Sequence, residues 1–309
     1  MRSGIIRTIH DLMRKDENIY FLTGDLGYNV LEEMQKEFPK RVINMGVAEQ
    51  NMMGVATGLA LSGKKVYVYS IIPFVTMRCY EQIRNDICYN NADVTILGVG
   101  SGLSYGILSA THFALEDVAI LRALPNITIF SPADEIEAIL GVKELYKQKG
   151  PAYIRIGKKE EPKIYDKPYD FKIGKGNILT EGEDITIFAT GTIMSEALGA
   201  AKLLKEKNIK ASVINIHTIK PLDKELIVRE SHFKKHIFVV EEHGIIGGLG
   251  SAIAESTSNE HEFPPLTLIG TEDKFIKEIG TQEYLRSKTG LSADKIAERI
   301  IKALKLKSA

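Results

Sequence analysis

Glu49 is the residue of this chain that most needs an explanation. Met45 to Gly63 reads MGVAEQNMMGVATGLALSG, and between Val47 and Ser62 the only charge is Glu49. The rest is apolar, small or neutral, the composition of a helix buried on all sides. An ionised carboxylate in that setting is costly unless something compensates it. A first-turn acid favoured by the positive end of the helix dipole is the local reading. The small residues Gly54, Ala56, Gly58 and Ala60 point elsewhere, because they permit close backbone approach, as at a packed subunit interface. An acid at the mouth of such a helix is a candidate for hydrogen-bonding a buried heterocycle. His112, in SATHFALED, follows a glycine-rich loop and precedes a helix. It suits proton transfer at neutral pH, or else a helix entry satisfied by backbone. Phe74, in IIPFVTMRCYEQ, reads as core or as a platform for a flat ring.

Other chemistry is poorly supported. GSGLSYG at 100–106 has spaced glycines after a strand, but a long loop follows instead of a helix, which argues against dinucleotide binding. GIIGGLGSA at 244–252 does lead into a helix, so its free N–H groups suit an anion; a tight strand-to-helix turn explains it equally well. GDLG at 24–27 begins like the Gly-Asp-Gly of a magnesium-diphosphate site but lacks its third residue and the downstream Asn pair. Cys79 and Cys88 have no metal-type spacing and read as free buried thiols, which fits a reducing cytoplasm. No metal site and no Ser/His/Asp or Cys/His constellation is expected.

These residues must be held by an alternation of strands and helices. Residues 3–15 predict a helix, and NIYFLTGD, RVINMG, KKVYVYS, DVTILGVG, NITIFSP and PAYIRIG predict strands. Helices are expected between them, including the Glu49 helix and one over 74–90. DVTILGVG is a continuous apolar run of the kind buried in a parallel sheet. Residues 1–158 thus predict a doubly wound α/β domain, 159–172 a charged linker with two prolines, and 173–309 a second doubly wound α/β domain. Asp25, Glu49 and the 100–112 loop fall at strand carboxyl ends, where open α/β sheets gather their chemistry. At 309 residues the chain is too long for one comfortable core. Its 40 basic and 40 acidic residues cancel, so no global charge recruits nucleic acid or an anionic membrane. No apolar run approaches a membrane span, and the first twenty residues lack the apolar core of a signal peptide.

Taken together, NMGVAEQNMMGVATGLALSG, THFALEDVAILRALPNITIFSPAD, ATGTIMSEAL, NIHTIKPLD and VEEHGIIGGLGSAIAE resemble the pyrimidine-binding and C-terminal domains of transketolases. GTQEYLRSKTGLSA is similar to deoxyxylulose-phosphate synthase. The diphosphate-binding domain of such enzymes is missing, so the chain resembles the C-terminal subunit of a split, thiamine diphosphate-dependent transketolase. The resemblance implies that Glu49 hydrogen-bonds N1′ of the aminopyrimidine and promotes its imino tautomer. A thiamine diphosphate carbanion then moves a two-carbon ketol unit from a ketose to an aldose. It further implies that Phe74 packs on the pyrimidine with Tyr80 as a second aromatic, and that Asp25 lies near the thiazolium at the subunit interface. By the same resemblance His112 contacts substrate oxygens, and Arg2 and Lys158 grip a sugar phosphate. The partner would be an N-terminal subunit that carries diphosphate and most of the Mg2+ binding, in a homodimer or a two-plus-two heterotetramer.

The departures concern the substrate. Where the family has an acid four residues before the loop histidine, this chain has Leu108, and Phe113 follows His112 where a polar residue is usual. The basic residue at the start of that loop is replaced by Gly100, Ser101 and Gly102. The expected substrate is therefore a modified sugar: deoxy, branched or sulfonated. Two other readings remain at this point: a 2-oxo acid dehydrogenase beta subunit or deoxyxylulose-phosphate synthase-like ligase, and a non-catalytic paralogue that stabilises its partner.

Overall fold

Strand runs and helix runs alternate as the sequence predicts, and the computed structural model describes residues 1–27, 29–158 and 161–305. Residues 159 and 160 of the expected linker, and 306–309 of the expected second domain, lie outside that range. The first part runs α1 (Arg2–Met13), β1 (Ile19–Thr23), α2 (Glu32–Glu37), β2 (Val42–Asn44), α3 (Glu49–Leu61) and β3 (Lys65–Ile71). It continues with α4 (Ile72–Val75), α5 (Tyr80–Gln82), a π-helical turn (Ile83–Cys88) and β4 (Val94–Val99). After the 3-10 turn Gly106–Leu108 come α6 (Asp117–Arg122), β5 (Thr128–Phe130), α7 (Glu135–Lys147) and β6 (Ala152–Ile156). The second part holds β7 (Asn177–Thr180), β8 (Ile185–Ala189), α8 (Met194–Lys205), β9 (Ala211–Asn215) and β10 (Thr218–Lys220). It ends with α9 (Lys224–Ser231), β11 (His236–Gly244), α10 (Leu249–Thr257), β12 (Leu266–Thr271), α11 (Gln282–Lys288) and α12 (Ala293–Lys305).

The strands form two sheets, ordered β10-β5-β6-β4-β3-β1-β2 and β12-β11-β8-β9-β7. All pairings are parallel except β10 with β5 and β7 with β9. Strand β3 shows why the first sheet is covered on both faces. Tyr67 and Tyr69 point into one cluster with Ile5, Ile9 and Phe21, while Val66 and Val68 point into the other with Met52, Met53 and Ile96. Helices α1 and α7 close the first face, and α3 closes the second.

Two features differ from the sequence expectation. Strand β10 belongs to the second half of the chain yet adds an antiparallel edge to the first sheet, with Thr218 opposite Phe130. Three residues are too short a run to show a period. The expected helix over 74–90 is broken. Pro73 stands in the first turn of α4, and then the N–H groups of Met77 and Arg78 both return to the Pro73 carbonyl, at 3.1 and 3.3 Å. The Thr76 hydroxyl bonds the Ile72 carbonyl at 2.7 Å and the Cys79 thiol bonds that of Phe74 at 3.3 Å. Side-chain competition of this kind tightens the backbone, which restarts at Tyr80. Past the break, Arg78 reaches both Glu49 and the Phe74 ring.

Candidate active site

Three strand ends meet at Glu49. The carboxylate stands in the first turn of α3, after β2, and is 2% exposed. Its Oε1 lies 3.5 Å from the Ser70 hydroxyl near the end of β3. Gly24, just past β1, lies against the same carboxylate, where a side-chain carbon would stand 3.5 Å from Glu49 Cγ. Oε2 accepts a bond from Arg78 Nη1 at 2.9 Å. That guanidinium also lies 4.6 Å from the centre of the Phe74 ring, a cation–π contact. Burial of Glu49 is thus offset by a charge-assisted bond to a side chain that is itself half-exposed. Sequence reasoning gave Arg78 no role. The signal available was that it is the only charge between Lys65 and Glu81, four residues beyond Phe74.

From Phe74 a line of rings leads away from the carboxylate. The Phe74 and His112 rings meet edge to face at 5.1 Å, and His112 and Tyr105 at 5.6 Å. Lys158 Nζ sits 4.4 Å over the Tyr105 ring. The charge of Arg2 bears on the phenols of Tyr69 and Tyr105 at the same wall. Burial and then the nearby Lys158 charge hold the His112 imidazole below its ordinary pKa. The Thr111 hydroxyl meets His112 Nδ1 at 2.9 Å, which fixes the ring's orientation. Glu49, Phe74, His112, Arg2 and Lys158 therefore share one surface, with Arg78 and Tyr105 joining them.

The remaining candidates stand apart from that line. Asp25 is exposed at the end of β1, with φ of 54°, and exchanges bonds with Asn44: its N–H donates to Oδ1 at 3.0 Å and its Oδ1 accepts from Nδ2 at 2.9 Å. Leu108 ends the 3-10 turn at 42% exposure, beside the more exposed Ile107. Tyr80 packs on the apolar cluster beneath α3. The two cysteines are free and buried, and burial pushes the thiols up to about 12 for Cys79 and about 11 for Cys88. The anion reading of residues 244–252 fails for a specific reason. The Glu241 carboxylate already fills the N-terminus of α10, accepting from Leu249 N–H at 2.7 Å and Gly250 N–H at 2.9 Å. The chain supplies its own anion there.

A buried acid beside a half-buried aromatic ring, at the carboxyl edge of a parallel sheet, suits a planar nitrogen heterocycle. The acid meets a ring nitrogen and Phe74 offers a flat face. Residues 1–163 match the family model "Transketolase, pyrimidine binding domain", and residues 174–296 match "Transketolase, C-terminal domain". The chain belongs to the transketolase family, whose members depend on thiamine diphosphate. Within that family it is similar to the C-terminal subunits of split transketolases. A protein named as a transketolase C-terminal section in Methanocaldococcus jannaschii is 40% identical over 308 residues, covering 99% of this chain and 96% of its own. A 6-deoxy-6-sulfo-D-fructose transketolase subunit of a Clostridium species is 35% identical, over 96% of this chain and 92% of its own. Among solved structures, a split-gene transketolase described as an inactive β4 tetramer superposes with a TM-score of 0.88 at 37% identity, covering 99% of this chain and 98% of that one.

Proposed function

We propose that residues 1–158 of this chain supply the pyrimidine half of a transketolase site, which an N-terminal subunit completes with diphosphate and Mg2+ binding. The assembled enzyme moves a two-carbon ketol unit from a ketose donor to an aldose acceptor. The observation that carries this reading is Glu49, a buried carboxylate linked through Arg78 to the half-buried Phe74 ring where three strand ends meet. Bound thiamine diphosphate supplies the nucleophilic carbon that holds the two-carbon fragment. The chain's own residues bind and orient. Glu49 takes a hydrogen bond from a ring nitrogen and shares its proton. Phe74 packs the ring face and excludes water. His112, neutral near pH 7, exchanges protons with substrate hydroxyls. Lys158 and Arg2 set a positive field for an anionic end of the sugar, and Asp25, exposed at the same sheet edge, faces the partner.

Ile107 and Leu108 give the acceptor side an exposed apolar lip, which supports a deoxy, branched or sulfonated sugar as substrate. Assembly as two copies of each subunit is supported by α3, where an added side-chain carbon at Gly54 or Gly58 would meet nothing within 4 Å. A cytoplasmic location is supported by the two free buried thiols. Among the described residues no helix is long and apolar enough to cross a membrane.

Calorimetric titration of thiamine diphosphate with Mg2+, into this chain alone and into its mixture with the N-terminal subunit, tests the proposal. Tight binding is expected only in the mixture. Glu49→Ala is expected to weaken it and to cut turnover by about 100-fold or more. An assembled complex whose Glu49→Ala variant turns over sugars at the native rate would overturn it.

A further inference from the structure

The loop that carries His112 is held in place from the second sheet. At its start the N–H groups of Gly100 and Ser101 both donate to the Ile156 carbonyl, at 2.8 and 3.0 Å, and Ala114 N–H donates to the Gly102 carbonyl at 3.0 Å. Between those ties the loop leans on Glu242 of β11. Leu103 N–H donates to Glu242 Oε1 at 3.0 Å. Gln282 Nε2 donates to both oxygens of the same carboxylate, at 2.9 and 3.1 Å, and reaches Ser104 Oγ at 3.3 Å. Arg286 Nη2 closes on Oε2 at 2.6 Å. The far end of the loop is tied to the same strand. Arg155 Nη2 donates to the Ala114 carbonyl at 2.7 Å and to the Glu242 carbonyl at 3.1 Å, and Gly244 N–H donates to the Leu115 carbonyl at 2.8 Å.

Gly102 shows how closely the parts fit. Its φ is +59°, and a side-chain carbon there would fall 2.5 Å from Glu242 Cγ. Glu242 and Arg286 are 2% and 6% exposed. A buried ion pair is a poor way to gain stability, since apolar residues of like volume often do better. Here its oxygens are shared between an amide of the loop and two side chains of α11, a glutamine and an arginine, so it ties three elements into one arrangement. We infer that Glu242, clamped by Gln282 and Arg286, is a positioning residue that sets the 100–114 loop so that His112 lies between Tyr105 and Phe74. The second domain thereby builds the substrate side of the site, while Glu49 and Phe74 stand on α3 and α4. The functional meaning of this rests on the transketolase reading above; the placement of His112 does not.

The test uses Gln282→Ala, at the rim of the cluster, and Glu242→Gln, which keeps an acceptor for Leu103 but removes the charge opposite Arg286. In the full chain alone, the His112 ring is titrated by NMR, assigned with His112→Asn. In the complex with the N-terminal subunit, the sugar KM and the thiamine diphosphate Kd are measured. Both variants are expected to move the His112 titration up toward the ordinary imidazole value. They are expected to raise KM about tenfold while changing the cofactor Kd by less than about twofold. An unmoved His112 titration overturns the inference. So does a Kd that weakens in step with KM, the mark of general loosening. Should the native complex turn over no sugar at all, the transketolase reading fails, and the NMR result still decides the positioning role.

Discussion

At the scale of single residues, His112 is poised by what surrounds its ring. Burial removes it from water, and Lys158, over the neighbouring Tyr105, adds a like charge; both favour the neutral imidazole. Its pKa therefore lies below the usual 6.5, and the acceptor nitrogen is free throughout the neutral range. Protonation removes that acceptor, so kcat/KM in the assembled enzyme is expected to fall on an acid limb that lies below pH 6.5. Lys158→Met takes away the repelling charge and is expected to shift the limb upward, toward 6.5. A limb that moves down, or stays put, in pH–rate profiles of the two proteins would contradict this. The role of Glu49 as an anomalous acid was legible in the sequence because its neighbours are so uniformly apolar. Its partner Arg78 was not, because the contact depends on the broken helix after Pro73.

At the scale of elements, the sheet edges meet through buried charge. Asp117 opens α6 with no exposed surface and accepts from Tyr153 Oη at 2.6 Å and from Arg155 Nε at 2.8 Å. Burial and the Asp117 charge together push the Tyr153 phenol well above its ordinary pKa. Arg155 continues to the Ala114 and Glu242 carbonyls, so the pair joins β6, α6 and β11. Asp117→Asn leaves the arginine buried without its counter-charge, and the expected loss is about 3–5 kcal/mol. Urea unfolding would show it as a lower midpoint at constant slope; a midpoint within error of the native protein would rule it out. Most elements could be read from periodicity, since an apolar strand such as β4 carries its own signature. Strands β7 and β10 and helices α2 and α11 could not. They are short, and their stability comes from neighbours distant in the chain.

At the scale of the whole molecule, the join between the two sheets contains Glu137, a residue the sequence gave no reason to single out. It lies on α7 and accepts from Asn215 Nδ2 of β9 at 2.8 and 3.0 Å, Ala133 N–H at 2.7 Å and Tyr169 Oη at 2.6 Å. Burial raises its pKa from 4.5 to about 7, against the pull of those bonds. The folded chain thus holds a proton that the unfolded chain has released. This contribution to stability is full below pH 4.5 and is lost as pH rises through 7, by about 3 kcal/mol across that window. Glu137→Gln stays neutral at every pH. Its amide can use Asn215 Oδ1, a buried atom without a hydrogen bond, once the Asn215 amide turns over. The Tm of the variant relative to the native chain is expected to rise between pH 5 and pH 8. A constant difference would assign Glu137 an ordinary carboxyl.

The sequence by itself determined the alternation of elements, the two α/β units, the family resemblance, the buried thiols and the anomaly of Glu49. Apart from the resemblance, which rests on motifs spread along the chain, these are properties of composition and of spacing within one element, where side chains a few residues apart share an environment. Tertiary structure decided who meets whom. Arg78 reaches Glu49 across 29 residues and Leu103 reaches Glu242 across 139, contacts set by the order of strands in two sheets. Glu241, one residue away from Glu242, turns instead to cap the following helix, α10. Adjacent residues on a strand point to opposite faces, so only the sheet's position in the fold assigns each carboxylate its partner.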